Sequence, residues 1–491
     1  MPKFARIIAR LAVALAALYL LLAIPAAESR VLPAPVHGAA FAWDRDAYWR
    51  ALEVRFAQVR AAGCTAAAPE ATRGVADLDR DIATLGRDSL GPDAPVLDSL
   101  EATLFALGPV VAACPARLRD VVALEGRMRD AVKLQSRRWN VSGTLARRRL
   151  YRALYGGRAL VEELQLNHPD SVGGLYVGPD APSATPSTVV QGVRIHSGDI
   201  LVSRGGYPTS ALIARGNDFP GNFSHVALVH VDSATHTAST IEAHIERGVV
   251  VSSAAQYLAD KKLRILVLRL RADLPRIAAD PMLPHRAASA MLARARAGHI
   301  PYDFAMDYTD PAKLFCSEVA SAAYRPVGVT LWTGLSTLSA PGLRRWLAAF
   351  GVRHFETQEP SDLEYDPQLV VVAEWRDPAQ LLRDHVDNAV TDAMLEGAER
   401  GDALGYAWFK LPLARVMKGY SWVLERLGKV GPIPEGMSPT AALRNSAYTA
   451  RHRLLGTRVR AEAERIAAEQ GYFPPYWVLL DLARAVVARP S

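Results

Sequence analysis

The chain has 491 residues, 50% of them hydrophobic and 22% charged, which excludes a disordered or fibrous polypeptide and leaves room for several cores. Its formal charge is +7, and Lys3, Arg6 and Arg10 supply three of those charges before the first acid, leaving about +4 for the remainder. Arginine is scattered rather than clustered with aromatics, so no nucleic-acid footprint is expected; the basicity reads mainly as a compositional habit, with weak attraction to anionic envelope surfaces as the lesser alternative.

Residues 1–30 pair a basic start, "MPKFARIIAR", with an apolar run from Leu11 to Ala27. That is the form of an export signal. As a helix the run measures about 26 Å, close to a bilayer's span. Ala26 and Ala27 offer a cleavage site but Ile24 and Pro25 suit it poorly, so a removed signal and a retained membrane anchor both stay open. The expected location is the periplasm, in solution or tethered to the inner membrane.

Residues 40–168 carry helical periodicity, as in "DAYWRALEVRFAQVRAAG". They include Cys64 and Cys114. In an oxidising compartment these can pair, closing a loop of about 50 residues. Cys316 is then the odd thiol, and needs a reason. Residues 169–191, rich in Gly, Pro and Ser, read as a linker.

Between residues 192 and 377 the period becomes two: "GDILVSRG", "SHVALVHVD", "STIEAHIERGVVVSS" and "KLRILVLRLR" are strand-like. A helix from Leu283 to Ala297 follows, then the loop "GHIPYDFAMDYTDPAK", the segment "KLFCSEVASAAYRP" and a last strand, "QLVVVAEW". Residues 378–491 return to helix. The class is α+β with flanking helical regions.

Cys316 heads an Ala-rich helix. Val319, Ala320 and Ala323 share its stripe, so it could be a small core residue. If instead the helix starts at Cys316, free N–H groups there would lower the thiol pKa and hold an oxyanion. Asp310-Pro311 offers an earlier start that would remove this advantage. His225 enters a strand whose opposite face carries His230. Alternation puts Glu242, His244 and Glu246 on one face of the next strand, where Glu242 or His244 could hold the His225 imidazole. A solvated polar face would show the same pattern. No close Cys pair or H-E-x-x-H marks a metal site, and no phosphate-binding glycine loop follows a strand, so neither metal nor cofactor is expected.

The order "GDILVSRGG … FSHVALVHV … IEAHIERGVVVSS … GHIPYDFAMDY … KLFCSEVASAAY" resembles the circularly permuted papain-like hydrolases of the NlpC superfamily. It is most similar to the YiiX/YebB type, and distantly to the lecithin:retinol acyltransferase-like proteins. The resemblance spans about residues 192 to 330, extending toward 376. It implies a small antiparallel sheet packed on helices, with Cys316 as nucleophile, His225 as base and Glu242 as third member. Asp199 of "GDIL" and Tyr302-Asp303 of "PYD" match further motif positions; with His244 they are the expected substrate contacts. The function implied is an exported cysteine hydrolase acting on an amide of a peptide or cell-wall peptide. A thiol-dependent lipid acyl hydrolase or acyltransferase at the membrane is the alternative, with an acyl-lipid substrate and association through the N-terminal segment. A catalytically idle envelope module is the reading from another class.

Overall fold

The computed structural model describes residues 2–25, 40–43, 46–87 and 89–488. The candidate cleavage site at Ala26 and Ala27 lies outside them. An apolar helix, α1 (Pro2–Ala23), comes first and is exposed along most of its length.

A helical layer then forms from α2 (Asp46–Ala62), α3 (Cys64–Leu85), α4 (Pro95–Ala113), α5 (Leu118–Ser136), α6 (Thr144–Leu150) and α7 (Gly156–Asn167). Apolar stripes at helical spacing meet in one core, with Leu78, Leu100, Leu104, Val121 and Leu150 almost wholly buried. Cys64, at the start of α3, is disulfide-bonded to Cys114, just past α4. The bridge pins the ends of two neighbouring helices.

The strands are β1 (Leu175–Val177), β2 (Ser187–Val190), β3 (Val193–His196), β4 (Ile200–Gly205), β5 (His225–Val231), β6 (Ala238–His244), β7 (Gly248–Ser253), β8 (Lys262–Leu270), β9 (Ser336–Thr337), β10 (Glu356–Thr357) and β11 (Leu369–Arg376). Seven of them form one antiparallel sheet in the order β1-β11-β8-β4-β5-β6-β7. Among the helices that follow, α8 (Pro208–Arg215) and α9 (Ala254–Ala259) lie between strands. The remainder are α10 (Pro275–Ala279), α11 (Leu283–Ala297), α12 (Glu318–Tyr324), α13 (Pro341–Phe350), α14 (Leu381–Glu399), α15 (Leu411–Arg426), α16 (Pro439–Gln470) and α17 (Tyr476–Val487). One sheet face, with Val226, Leu228, Leu266 and Leu268, packs on α11 and α12. Period-two alternation sends Ala227, Val229, Ile265 and Val267 into a second core on the other face.

Residues 169–191, expected as a linker, are built into the fold. β1 extends the sheet along β11, and β2 makes a hairpin with β3. The glycines that made this stretch read as a loop are needed here for close approach. A side chain at Gly174 or Gly178 would collide with the Arg376 or Val371 carbonyl of β11.

The helical flanks are joined to the sheet by buried ions. Glu374 of β11 takes Arg129 of α5 at 2.6 Å and Arg158 of α7 at 2.8 Å, and Arg158 also holds Glu364. Arg264 of β8 bonds Asp384 of α14 at 2.9 Å and Glu162 of α7 at 3.1 Å. Although burial works to raise it, Arg158, Arg376 and Arg129 around Glu374 hold its carboxyl far below the usual range. The scattered arginines are therefore more than a compositional habit: Arg129, Arg158, Arg204 and Arg264 are among the most deeply buried large side chains.

Two stability outcomes follow. Removing one partner of a buried ion set leaves the others uncompensated and costs roughly 3–5 kcal/mol. Glu374→Gln should lower the urea unfolding free energy by that order, whereas Glu469→Gln, from an exposed pair with Arg465, should change it by less than about 1 kcal/mol. The Cys64–Cys114 bridge closes a 50-residue separation, worth about 4 kcal/mol by chain entropy. The double Cys→Ser variant should unfold at lower urea than oxidised protein, and reductant should bring the parent to the same midpoint. Equal midpoints for oxidised parent and variant would contradict this.

Candidate functional site

β5 begins at His225 because "GNFS" ends in a turn whose Ser224 N–H donates to the Ser203 carbonyl on β4 at 2.9 Å. From there β5 pairs with β6 only from Ala227, opposite Glu242, onward. The strands part beyond that pair, and the site lies at the opening.

Glu242 is buried and points its carboxylate at two histidines. His225 Nε2 donates to Glu242 Oε2 at 2.8 Å. His244 Nε2 stands 3.1 Å from the same oxygen, at ion-pair distance but off the line of a hydrogen bond. The rings of His225 and His244 meet edge to face with centroids 5.6 Å apart. Burial alone would raise the Glu242 pKa, but the His225 hydrogen bond and the close approach of both imidazoles hold it far below the usual carboxylate range. Burial, opposed by the bond to Glu242, lowers His225 below its ordinary value. Glu242 is thus ionised and His225 neutral near pH 7. With Nε2 donating, Nδ1 keeps its lone pair.

Cys316 lies beside the same strand end, donating from Sγ to the Ser224 carbonyl at 3.8 Å. The helix starts at Glu318, with Ser317 as its cap, so the thiol sits in the segment before α12. Asp310-Pro311 starts no helix. Phe315 N–H donates to the Glu318 carboxyl at 2.9 Å, while the N–H groups of Cys316 and Ser317 have no backbone acceptor. The expected lowering of the thiol pKa is not found. Burial, reinforced by the nearby Glu359 carboxyl, pushes it up to about 12 against the N–H groups of Val226 and Ser317. Cys316 is a neutral thiol at rest.

The other expected contacts divide. Tyr302 is beside the thiol: burial first, and Cys316 next, raise its phenol well above the usual range, and its ring meets Phe304 at 5.0 Å. Asp303 faces its own loop, accepting from Ala305 and Asp307 N–H at 2.9 and 2.6 Å. It holds the Tyr302 loop in shape. Asp199 lies apart, at the far end of β4 from Ser203, the residue paired with His225. It is locked to Arg269 at 2.8 Å and to His196 N–H, and with Arg269 it lines a separate cavity of about 330 Å³. The structure does not bring Asp199 to the thiol.

Glu359 had no signal in the sequence. It lies in the turn after β10, 3% exposed, and its carbonyl accepts from Trp332 Nε1 at 2.8 Å. Ser361, two residues on, accepts from Phe223 N–H at 3.0 Å and so fixes this turn against the start of β5. Burial and, second, Asp362 raise the Glu359 carboxyl well above its usual range. Its carboxyl therefore holds a proton more tightly than an ordinary carboxyl does.

No metal-ligand spacing was legible in the sequence, yet among the described residues the fold gathers one candidate set. Ligand atoms of His225, Glu242 and His244 all lie within 4.8 Å of one another. Two imidazoles and a carboxylate are a donor set that suits zinc.

A family model described as permuted papain-like amidase enzyme, YaeF/YiiX, C92 family, matches residues 194–373. Among solved structures, the chain is similar to the metalloprotein yiiX from Escherichia coli O157:H7, at 17% identity over 37% of this chain and 98% of that one, with a TM-score of 0.29. No curated protein matches the chain. The residues matched by that family model, 194–373, include Cys316, His225 and Glu242.

Proposed function

We propose that this protein is an exported thiol amidase acting on a peptide-type substrate, cell-wall peptide being the narrower choice, with Cys316 as nucleophile, His225 as base and Glu242 as its orienting group. The observation that carries the reading is the 2.8 Å bond from His225 to a buried, ionised Glu242, at a strand end whose preceding carbonyl receives the Cys316 thiol. Export is supported by the Cys64–Cys114 disulfide and by the apolar N-terminal helix.

In this reading the thiol proton passes to His225 Nδ1 as Sγ attacks the carbonyl carbon. The oxyanion is met by the N–H of Cys316, which has no backbone acceptor among the described residues. The imidazolium, stabilised by Glu242, gives its proton to the leaving amine, and the C–N bond breaks to leave a thioester. Water, deprotonated by Nδ1, attacks the thioester and the acid product leaves with the thiol restored. Because both groups are neutral at rest, the ion pair forms during attack and is not stored beforehand.

The test is labelling by an acyl probe selective for thiols, with kinetics of variants on any amide the parent turns over. Cys316→Ala should abolish labelling and turnover. Glu242→Gln should cost one to several orders of magnitude in kcat, as loss of an orienting carboxylate does. His244 acts on the site through Glu242, so His244→Gln should cost about tenfold or less. Near-normal turnover in Glu242→Gln beside a dead His244→Gln would reverse the roles.

The pH profile gives an independent check. The base must be neutral, and burial lowers the His225 pKa from its ordinary 6.5. The acid limb of kcat/KM should therefore lie below pH 6.5, and move lower still in Glu242→Gln, which removes the bond that raises it. A limb at or above the ordinary value would contradict the resting state described.

The convergence of His225, Glu242 and His244 favours one second reading, a metal-assisted hydrolase: these three residues would hold a divalent cation, which would supply Lewis acidity toward a water, and Cys316 would be a bystander. Chelation separates the two. A thiol amidase survives EDTA and is silenced by Cys316→Ala, and the metal reading requires the opposite.

A further inference from the structure

α15 is turned inside out for a helix of a soluble protein. Its inward positions are modest: Leu411, Ala414 and Ser421 are buried. Outward, Phe409, Leu413, Val416, Tyr420, Val423 and Leu427 recur at alternating four- and three-residue steps, and each is 47–66% exposed. Trp408 and Trp422 widen this stripe, at 60% and 51% exposed. A large apolar face directed at solvent marks an interaction surface.

Two further observations say what covers it. The first is charge. Residues 408–430 carry Lys410, Arg415, Lys418, Arg426 and Lys429 against Glu425 alone. At the stripe itself Arg426 stands 3.7 Å over the Trp422 ring, whereas Lys418 turns inward to the carbonyl of Pro434 at 2.6 Å. Aromatic and aliphatic residues on one side with cations at the margin are the composition of a helix lying in the plane of an anionic bilayer.

The second is continuity with α1. Arg415 donates to the carbonyls of Leu22 at 2.9 Å and Ile24 at 2.6 Å, and so caps the C-terminal end of α1. Tyr19 donates to the Phe409 carbonyl at 2.6 Å. The stretch Arg6–Ala23 of α1 has a mean hydropathy of 2.0 and none of it is buried. At 1.5 Å per residue it spans about 27 Å, the thickness of a hydrocarbon core. α15 therefore begins at the level where such a helix would leave the membrane.

We propose that the segment Trp408–Val430 is an interfacial membrane-binding helix, seated on an anionic lipid bilayer where α1 enters it. This stands on the exposed stripe, its cations and the α1 contact, and does not depend on the amidase reading. It also places lipid close to the candidate site. The inward side of α15 packs Met417 and Ala414 in one cluster with Phe304, the ring that meets Tyr302 beside Cys316.

The experiment uses the full chain, reconstituted in vesicles of phosphatidylethanolamine and phosphatidylglycerol, with and without bromine on the acyl chains. α1 carries no tryptophan, so contact of α1 with lipid cannot itself quench indole emission. Brominated lipid should quench roughly a fifth of the emission, the share of two tryptophans among nine. Most of that quench should vanish in Trp408→Phe/Trp422→Phe. Leu413→Asp/Val423→Asp, whose side chains leave the core untouched, should keep the parental melting temperature and also lose it. Equal quenching in parent and Trp double variant, or none in the parent, overturns the proposal. So does a lipid-insensitive dimer that Leu413→Asp/Val423→Asp dissociates, since a second copy would then be what covers α15.

Discussion

A single carboxylate, Glu374, ties the architecture together. It sits on β11 with no exposed surface, and Arg129, Arg158 and Arg376 converge on it from two helices and its own strand. Each ion is desolvated at a cost of several kcal/mol, which only the full set of partners offsets. The helical layer, the sheet and the turn bearing Glu364 can therefore lie together only with this register and this rotation. Arg264, with Glu162 and Asp384, repeats the arrangement and brings α14 to the same edge. The helical regions on either side are thus parts of the body that holds the sheet, although the match to the amidase family ends at residue 373.

That rigid frame explains the economy of the site. β5 and β6 separate beyond Ala227 and Glu242, so one strand end offers both its side chain, His225, and its free main-chain edge. The thiol uses the edge and the carboxylate uses the side chain. Glu242 serves two imidazoles with one oxygen, which fixes the tautomer of the nearer one. The Glu359 turn, fastened by Ser361 to Phe223, closes the thiol in apolar surroundings and keeps it protonated.

Much of this was legible in the sequence, and what was hidden has physical reasons. Val- and Ile-rich alternation marked β4, β5, β8 and β11, because burial on a defined face leaves a period, and the helix expected at about Leu283 to Ala297 is α11. The same alternation put Glu242 and His244 on one face. Period says nothing of partners distant in sequence. Arg129 finds Glu374 across 245 positions, so buried arginines looked like scatter. β1 was concealed by glycines that permit its approach to β11. The start of α12 was misread because Glu318 closes on Phe315 N–H and keeps Cys316 outside the helix. Asp199 shares a motif with its relatives, but its ion pair with Arg269 gives it a structural task.

The cysteine arrangement also sets how the protein meets oxidants. Sulfenic acid forms from thiolates, and a thiol with a pKa near 12 presents almost none at neutral pH. Cys316 thus has chemical shelter from oxidants that act on thiolates. The shelter has a counterpart. Cys64 and Cys114 are bound to each other, so the chain holds no resolving thiol that could condense with an oxidised Cys316. Once sulfenylated, that sulfur can be recovered only by a reductant from outside, and otherwise moves on to the irreversible sulfinic state.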